Sequence, residues 1–382
     1  MVIMALDHVR DFFFKVNLEK ADSAATGPTN LETTYPLLFF TRWITHFCAP
    51  IFIFLAGASI YLMCLKKTKN EISLFLAKRG IWLVVVEVVV VTLSWTFNPL
   101  YNVLILQVIW AIGISMILMG LLIRLPYKVI LVLGILIVFG HNLMDYPSIG
   151  GPLKGSVLAD LLYFSNFSIH QIFPGHNYLI VYSFLPWTGV MLLGYCFGKL
   201  YEQKTDPVWR RKKLIQLGLA SLLLFVVLRS FNIYGDPVGW SVQNRGPVYT
   251  LLSFINLNKY PPSLLYLSVT IGCGILFLAG IEKMQNRFTN IMNVYGRVPM
   301  FYYILHFYFI HILVVIVFYL QGYTSKDIVP ANTPFLFRPA TFGFNLWGVY
   351  VVWLLLVILL YPLCKKYSVY KNTHKKWWLS YL

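Results

Sequence analysis

Charge is scarce in this chain. Of its 382 residues only 12% are Asp, Glu, Lys or Arg, about half the share of a soluble domain. Acidic residues are scarcest, at 14 against 31 Lys and Arg. Cysteine is scarce too. Cys48, Cys64, Cys196, Cys273 and Cys364 lie in or beside apolar runs without paired spacing, which excludes a disulfide framework and a metal cluster built on cysteine. No internal repeat is visible, and no polar stretch is long enough to form a soluble module. The chain therefore reads as one domain over residues 1–382. A soluble globular protein is excluded by composition, because 58% of residues are hydrophobic.

What fills the chain is long apolar runs. They lie near residues 1–14, 37–65, 73–97, 100–123, 127–144, 178–200, 214–232, 262–281, 297–320 and 344–364. All but the first are long enough to cross a bilayer, which takes roughly 20 apolar residues. The runs are continuous rather than alternating, so helices are expected, their backbone satisfied within each segment. The fold class expected is all-α: a polytopic integral membrane bundle of about ten transmembrane helices. The first run is short and ends in charge. It lacks the cationic start and cleavage site of a signal peptide, so Met1 is expected to be an internal start, with the first helix beginning upstream of it.

The net charge of +17 would suit nucleic acid, but the charges lie in the wrong places. Lys66, Lys67, Lys69, Lys78, Arg79, Arg124 and Lys128 fall at alternate connections between runs. So do Lys199, Lys204, Arg210, Arg211, Lys212, Lys213, Lys283, Arg287 and Arg297, and a tail of Lys365, Lys366, Lys371, Lys375 and Lys376. These are 21 of the 31 cations, and that face is expected to be cytoplasmic. The opposite loops, 15–36, 145–177, 233–261 and 321–343, are long and poor in Lys and Arg. The basic excess thus reads as topology, with anionic lipid headgroups as partners and no nucleic acid. Both termini are expected to be cytoplasmic. Long loops of this kind are usually functional, so the substrate volume is expected on the outer side. Within them VLADLLYF reads as a surface helix, and KYPPSLLYL as a helix start with Pro262 in its first turn.

Ionisable groups inside the runs are few, and each is a functional candidate. Asp7, His8, Arg10 and Asp11 close the first run; Arg42 and His46 open the second; Glu87 sits in VVVEVVVV; His306 and His311 lie in YYILHFYFIHIL. Asp7 shares a helix face with Arg10 and Asp11, as Arg42 does with His46. His306 and His311 are five apart and about 140° round the helix; His306 is the better placed to face a cavity. The topology sets Asp7–Asp11 and Arg42–His46 at one depth. Two histidines, two carboxylates and an arginine there suit general base chemistry: a carboxylate fixes the imidazole tautomer and stabilises the imidazolium. No serine or cysteine nucleophile motif accompanies them, which favours direct attack by a bound acceptor. Plainer readings stand beside this one. Asp7 and Arg10 also suit an interfacial ion pair, Arg42 a snorkelling cation, Glu87 a structural hydrogen bond and His311 a packed ring. His141, His170 and His176 suit solvated loops, though His176 is kept as a candidate substrate contact. A transporter or channel using the same charges as a relay is the competing class.

The segments MVIMALDHVRDFF, LFFTRWITHFCAPIFIFLAGASIYL, FLAKRG, FPGHNYLIVYSFLPWTGVMLLGYCFGKLY, KYPPSLLYL and YGRVPMFYYILHFYFIHIL together resemble the bacterial relatives of heparan-alpha-glucosaminide N-acetyltransferase. More distantly they resemble multi-span acyltransferases that modify cell-surface glycans. The resemblance implies a bacterial cytoplasmic-membrane enzyme moving an acetyl group from acetyl-CoA to an amino sugar or glycan, without a metal. It implies that His8, after Asp7, matches the catalytic base of the first span, whose usual arginine-glycine pair is missing here. Pro50 through Gly57 and Ser59, Lys78 with Arg79, and Tyr302, Tyr303 and His306 match other family positions. The choice between His8 and His46 as base stays open, as do the acceptor and a homodimer. The residues and the resemblance together give a candidate site of His8, Asp7, His46, Arg42 and Asp11 for catalysis, with Arg10, His176, His306 and Tyr303 toward the acceptor. Lys66, Lys78, Arg79, Arg124 and Arg297 are the pool for the CoA phosphates.

Overall fold

Small residues set the closest helix contacts. A Cβ on Gly194 would lie 2.0 Å from Phe54 O, and one on Gly57 2.1 Å from Met191 O. Only glycine lets those backbones approach so closely, the usual device of helices that meet in lipid. The computed structural model describes residues 1–15, 27–330, 333–374 and 376–380. Lys375 and residues 16–26 of the first long loop lie outside them.

The helices run in chain order as follows: α1 Val2–Phe13, α2 Pro36–Thr45, α3 Cys48–Cys64, α4 Lys69–Val86 and α5 Thr92–Thr96; α6 Val108–Leu122, α7 Tyr127–Gly140, α8 Leu185–Gly198, α9 Pro207–Phe231 and α10 Pro247–Ile255; α11 Leu264–Ile281, α12 Arg287–Arg297, α13 Pro299–Leu320 and α14 Leu346–Thr373. The tightest pairings are α3 with α8, α4 with α6, α9 with α11, and α7 with α8. A capping box at Thr68 and Glu71 starts α4. A π turn, Glu87–Val91, joins α4 to α5.

Among the described residues six helical stretches are long and apolar enough to cross a membrane: Pro36–Cys64, Tyr127–Asp145, Pro207–Phe231, Leu264–Ile281, Pro299–Leu320 and Leu346–Thr373. The chain is an integral membrane protein. Against ten expected spans, several apolar runs make shorter helices. The run at 100–123 begins as a strand, β1 Val103–Leu106, before α6. The run at 178–200 begins inside β3, His176–Ile180, before α8. With β2, Ser168–Phe173, these form a three-stranded sheet ordered β1-β3-β2. β1 and β3 are parallel, with Leu104 opposite Tyr178, and β2 and β3 are antiparallel. The expectation of an all-α fold is corrected to that extent. Non-helical backbone is tolerated at membrane depth where it lines a cavity, and β1 and β3 do so.

One end of the bundle carries the basic connections; the other carries the sheet and the long loops. At the loop end VLADLLYF is helical, as Val157–Ala159 and a π turn Asp160–Phe164. The KYPPSLLYL helix begins later than expected. Ser263 caps α11 by accepting from Tyr266 N (3.0 Å), so Pro262 precedes the cap.

The loop 256–263 is tied down from three sides. Arg229, at the end of α9, donates to the carbonyls of Phe254 (2.9 Å), Val238 (2.7 Å), Ser253 (2.9 Å) and Asn256 (3.1 Å), and faces Asp236 at 3.9 Å. Asp236 accepts from Asn258 N (3.0 Å) and Ser263 Oγ (2.7 Å). His141 Nε2 lies 2.8 Å from Pro262 O, and Asn142 accepts from Leu264 N at 2.8 Å.

Candidate active site

α1 is amphipathic: Met4, Ala5, Leu6, Val9, Phe12 and Phe13 are buried among neighbouring helices. Its polar side chains face a cavity of about 340 Å3. The far end of α1 is pinned to the start of α14 by Phe344 N donating to Phe13 O (2.7 Å) and Lys15 N to Phe344 O (2.9 Å). Trp353 on α14 donates to Val2 O (2.9 Å).

Asp7 is the hub. Its Oδ1 receives Arg10 Nη2 at 2.8 Å and Thr45 Oγ1 at 2.9 Å, and its Oδ2 lies 3.5 Å from Lys259 Nζ. Arg10 also reaches Asp11 Oδ1 at 2.9 Å. His8 stands beside this network with its Nδ1 buried, 4.0 Å from Asp11 Oδ2. The ring is wedged between Trp95 (centroids 5.3 Å), Phe307 (4.3 Å) and His306 (5.3 Å). Aromatic walls on several sides fix the imidazole plane.

The structure thus brings Asp7, His8, Arg10, Asp11 and Arg42 onto one cavity. Arg42 is buried and donates to Gly27 O (2.6 Å) and Thr29 Oγ1 (3.2 Å), so it is held inside the bundle rather than snorkelling. His46 is adjacent but does not line the cavity. It lies at the α2–α3 junction, its carbonyl accepting from Tyr266 OH (2.7 Å) and its Nε2 buried without a partner among the described residues. His306 packs behind His8, stacked on Tyr302 at 5.3 Å. Its Nδ1 is 3.0 Å from Tyr302 O, which places the proton there because a carbonyl can only accept. Tyr303 OH and His306 Nε2 are buried without partners among the described residues. His176 is not brought to the cavity; it lies on β3, 3.2 Å from Leu100 O and against Phe173. Lys66, Lys78, Arg79, Arg124 and Arg297 are likewise away from it, at the basic end.

The remaining candidates have structural partners. Glu87 accepts from Gln107 N (3.2 Å) and Trp110 N (3.1 Å), covering the start of α6. His311 lies between Ser94 O (3.0 Å) and Leu336 O (3.1 Å). His170 is not a bare solvated ring, because it pairs with Asp160 at 2.8 Å.

Lys259 and Arg338 were not among the expected site residues, yet both line the cavity. The signal was their address: each is a cation in a loop otherwise poor in Lys and Arg. Burial alone would favour the neutral Lys259 amine, but Tyr260 and the Asp7 carboxylate outweigh it and hold its pKa above the ordinary lysine value. Burial lowers the pKa of Arg338, with Asp11 opposing. Four cations (Arg10, Arg42, Lys259, Arg338) therefore meet two carboxylates (Asp7, Asp11) on this cavity. Thr45, Gln107 and Tyr260 add polar groups, while Met4, Leu38, Phe52, Trp95 and Phe335 supply apolar wall. Among the described residues no group of three or more His, Cys, Asp or Glu is placed to hold a metal.

A cation-rich cavity with a histidine wedged into its wall thus lies within the helical bundle. Residues 28–235, more than half of the chain, match the family described as heparan-alpha-glucosaminide N-acetyltransferase, catalytic. The chain belongs to that family, and so to a class of membrane acetyltransferases, which favours a transferase over a transporter. The matched segment contains Arg42, Thr45 and Gln107, whereas α1, Lys259 and Arg338 lie outside it. No curated protein matches the chain.

Proposed function

We propose that the chain transfers the acetyl group of acetyl-CoA to an amino sugar or glycan at the loop end of the bundle, with His8 as general base. The observation that carries this is the placement of His8 on the cavity, beside the Asp7–Arg10–Asp11 network, in a chain of this family. The amine or hydroxyl of the acceptor attacks the thioester carbonyl while His8 takes its proton. The tetrahedral intermediate then expels the CoA thiolate, which takes that proton back. Arg42 and Lys259 stabilise the developing oxyanion, typically the largest catalytic contribution. Asp7 keeps Arg10 and Lys259 paired, and Asp11 stabilises the imidazolium. His46 is the second candidate base.

In this reading the basic end faces the cytosol, the termini lie there, and further short helices complete a crossing count near ten. Lys66, Lys78, Arg79, Arg124 and Arg297 are the candidate partners of the CoA phosphates. The thin pantetheine arm runs through the bundle, where Tyr303 and His306 offer polar atoms behind His8. A cavity of about 340 Å3 lies at the small end of the range for ligand sites, which suits a single sugar.

The test is incorporation of label from radiolabelled acetyl-CoA by the purified, detergent-solubilised chain, with glucosamine as acceptor. Label in glucosamine is expected. Acetyl-CoA binding without transfer to any amino sugar contradicts the acceptor class, and no acetyl-CoA binding contradicts the acyltransferase reading.

A further inference from the structure

Four cations reach the cavity, and three of them are engaged. Arg10 pairs with Asp7 (2.8 Å) and Asp11 (2.9 Å), and Lys259 with Asp7 (3.5 Å). Arg42 donates to Gly27 O (2.6 Å) and Thr29 Oγ1 (3.2 Å). Arg338 differs. It lines the cavity and makes no hydrogen bond or ion pair among the described residues. Asp11, the carboxylate that faces it, already receives Arg10. A guanidinium presents its N–H donors in a planar fork and stays charged. The fork of Arg338 is thus open to a negatively charged atom in the cavity.

The loop that carries Arg338 is seated on the wall of the base. Phe335 packs on Trp95 (centroids 5.4 Å) and Phe12 (5.7 Å), and Trp95 packs on His8 (5.3 Å). Leu336 N donates to Thr96 O (3.1 Å). His311, on α13, makes a second tie. Its Nε2 lies 3.1 Å from Leu336 O and its Nδ1 3.0 Å from Ser94 O. A neutral imidazole donates once and a carbonyl only accepts, so a proton on Nε2 is what ties the loop to α13. The ring lies flat on Phe97, with centroids 3.8 Å and planes 4° apart. To either side of this tie, Phe97 (φ 49°) and Phe337 (φ 60°) sit in the left-handed region, where a bulky residue persists only when its surroundings hold it.

We propose that Arg338 is a catalytic residue that meets the oxyanion of the tetrahedral intermediate, and that His311 is its positioning residue, acting through the Leu336 carbonyl. The inference rests on the acyl-transfer reading above. As the acceptor atom bonds to the thioester carbon, the carbonyl π pair moves onto oxygen, and Arg338 donates to that oxygen. When the C–S bond breaks, the pair returns to the carbonyl and the charge passes to the CoA sulfur, which takes the proton from His8. Arg338 stays protonated throughout. The full charge on oxygen is absent from the bound thioester, so the interaction raises kcat rather than lowering KM.

The test uses the purified full chain with labelled acetyl-CoA and glucosamine, and reads kcat, KM for acetyl-CoA and Tm. Arg338→Met is expected to lower kcat about 100-fold with KM unchanged, as for a lost oxyanion donor. His311→Phe keeps a ring on Phe97 but loses the donor, and is expected to lower kcat about tenfold or more through misplacement of Arg338. The double variant is expected to be no slower than Arg338→Met, because both changes remove one interaction. His311→Gln, whose amide nitrogen takes the place of Nε2, is expected to recover most of the loss; His311→Asn, whose amide nitrogen takes the place of Nδ1, is not. An unchanged kcat in Arg338→Met, or a raised KM at unchanged kcat, overturns the oxyanion role. Losses that multiply in the double variant overturn the positioning role. If His311→Phe does not fold, the Gln and Asn variants decide, and equal rates in the two overturn the tie. No transfer by the parent chain contradicts the acyl-transfer reading itself, and the oxyanion role with it.

Discussion

Asp7 holds three donors at once, and the loss of any one shifts the others. Lys259→Met removes the charge that meets Asp7 Oδ2 at 3.5 Å and leaves Arg10 and Thr45 to hold it alone. Small misplacements in a preorganised site cost on the order of 100-fold in rate. Lys259→Met is therefore expected to lower kcat/KM for acetyl transfer by about that factor, with Lys259→Arg recovering most of it. Equal loss in both variants would show that shape rather than charge matters there. His8, Asp7, Arg10 and Arg42 were legible in the sequence because an ionisable group inside an apolar run stands out. Lys259 and Arg338 were not, because each sits in a loop where a lone cation looks solvated. Only the fold carries them inward.

Among the elements, the loop 256–263 is the one that delivers Lys259, and Arg229 holds it. Arg229→Met would leave several carbonyls without their donor and Asp236 buried without its cation. Breaking a buried pair in this way typically costs about 3–5 kcal/mol. A lowered Tm, with acetyl transfer lost together with Lys259 positioning, is expected; an unchanged Tm would contradict the role. The α3–α8 contact makes a separate prediction. Gly194→Leu would drive a side chain into Phe54 O, where even a Cβ would lie 2.0 Å away. Overpacking typically costs about 1–3 kcal/mol, so thermal unfolding of the detergent-solubilised chain should move down by several degrees; no shift would show that the helices separate freely. Helices were legible from their apolar runs. The strands were not, because Val103–Leu106 and Tyr178–Ile180 are apolar and abut helices, so each run reads as one longer helix. The late start of α11 has a similar cause: Pro262 suits a first turn, but Ser263 supplies the capping hydroxyl.

For the molecule as a whole, the alternation of basic connections and long, cation-poor loops predicts which end meets the cytosol. The Glu202–Pro207 connection carries Lys204, whose side chain is 86% exposed. Trypsin is expected to cut after Lys204 in inside-out vesicles and to leave that bond intact in right-side-out vesicles; the reverse pattern would invert the orientation and put the cavity on the cytosolic side. The cavity itself was only half legible. The depth shared by α1 and α2 followed from the topology, but the sheet and two loops that close the site join residues more than 200 positions apart. The most direct test is a side-by-side measurement of acetyl transfer by the parent chain, His8→Ala and His46→Ala, each checked for an unchanged Tm. Removing a general base typically costs about 10²–10⁴ in rate. We expect His8→Ala to lose that much and His46→Ala to stay within a few-fold of the parent. Full transfer by His8→Ala would remove His8 from the chemistry and contradict the reading built on it.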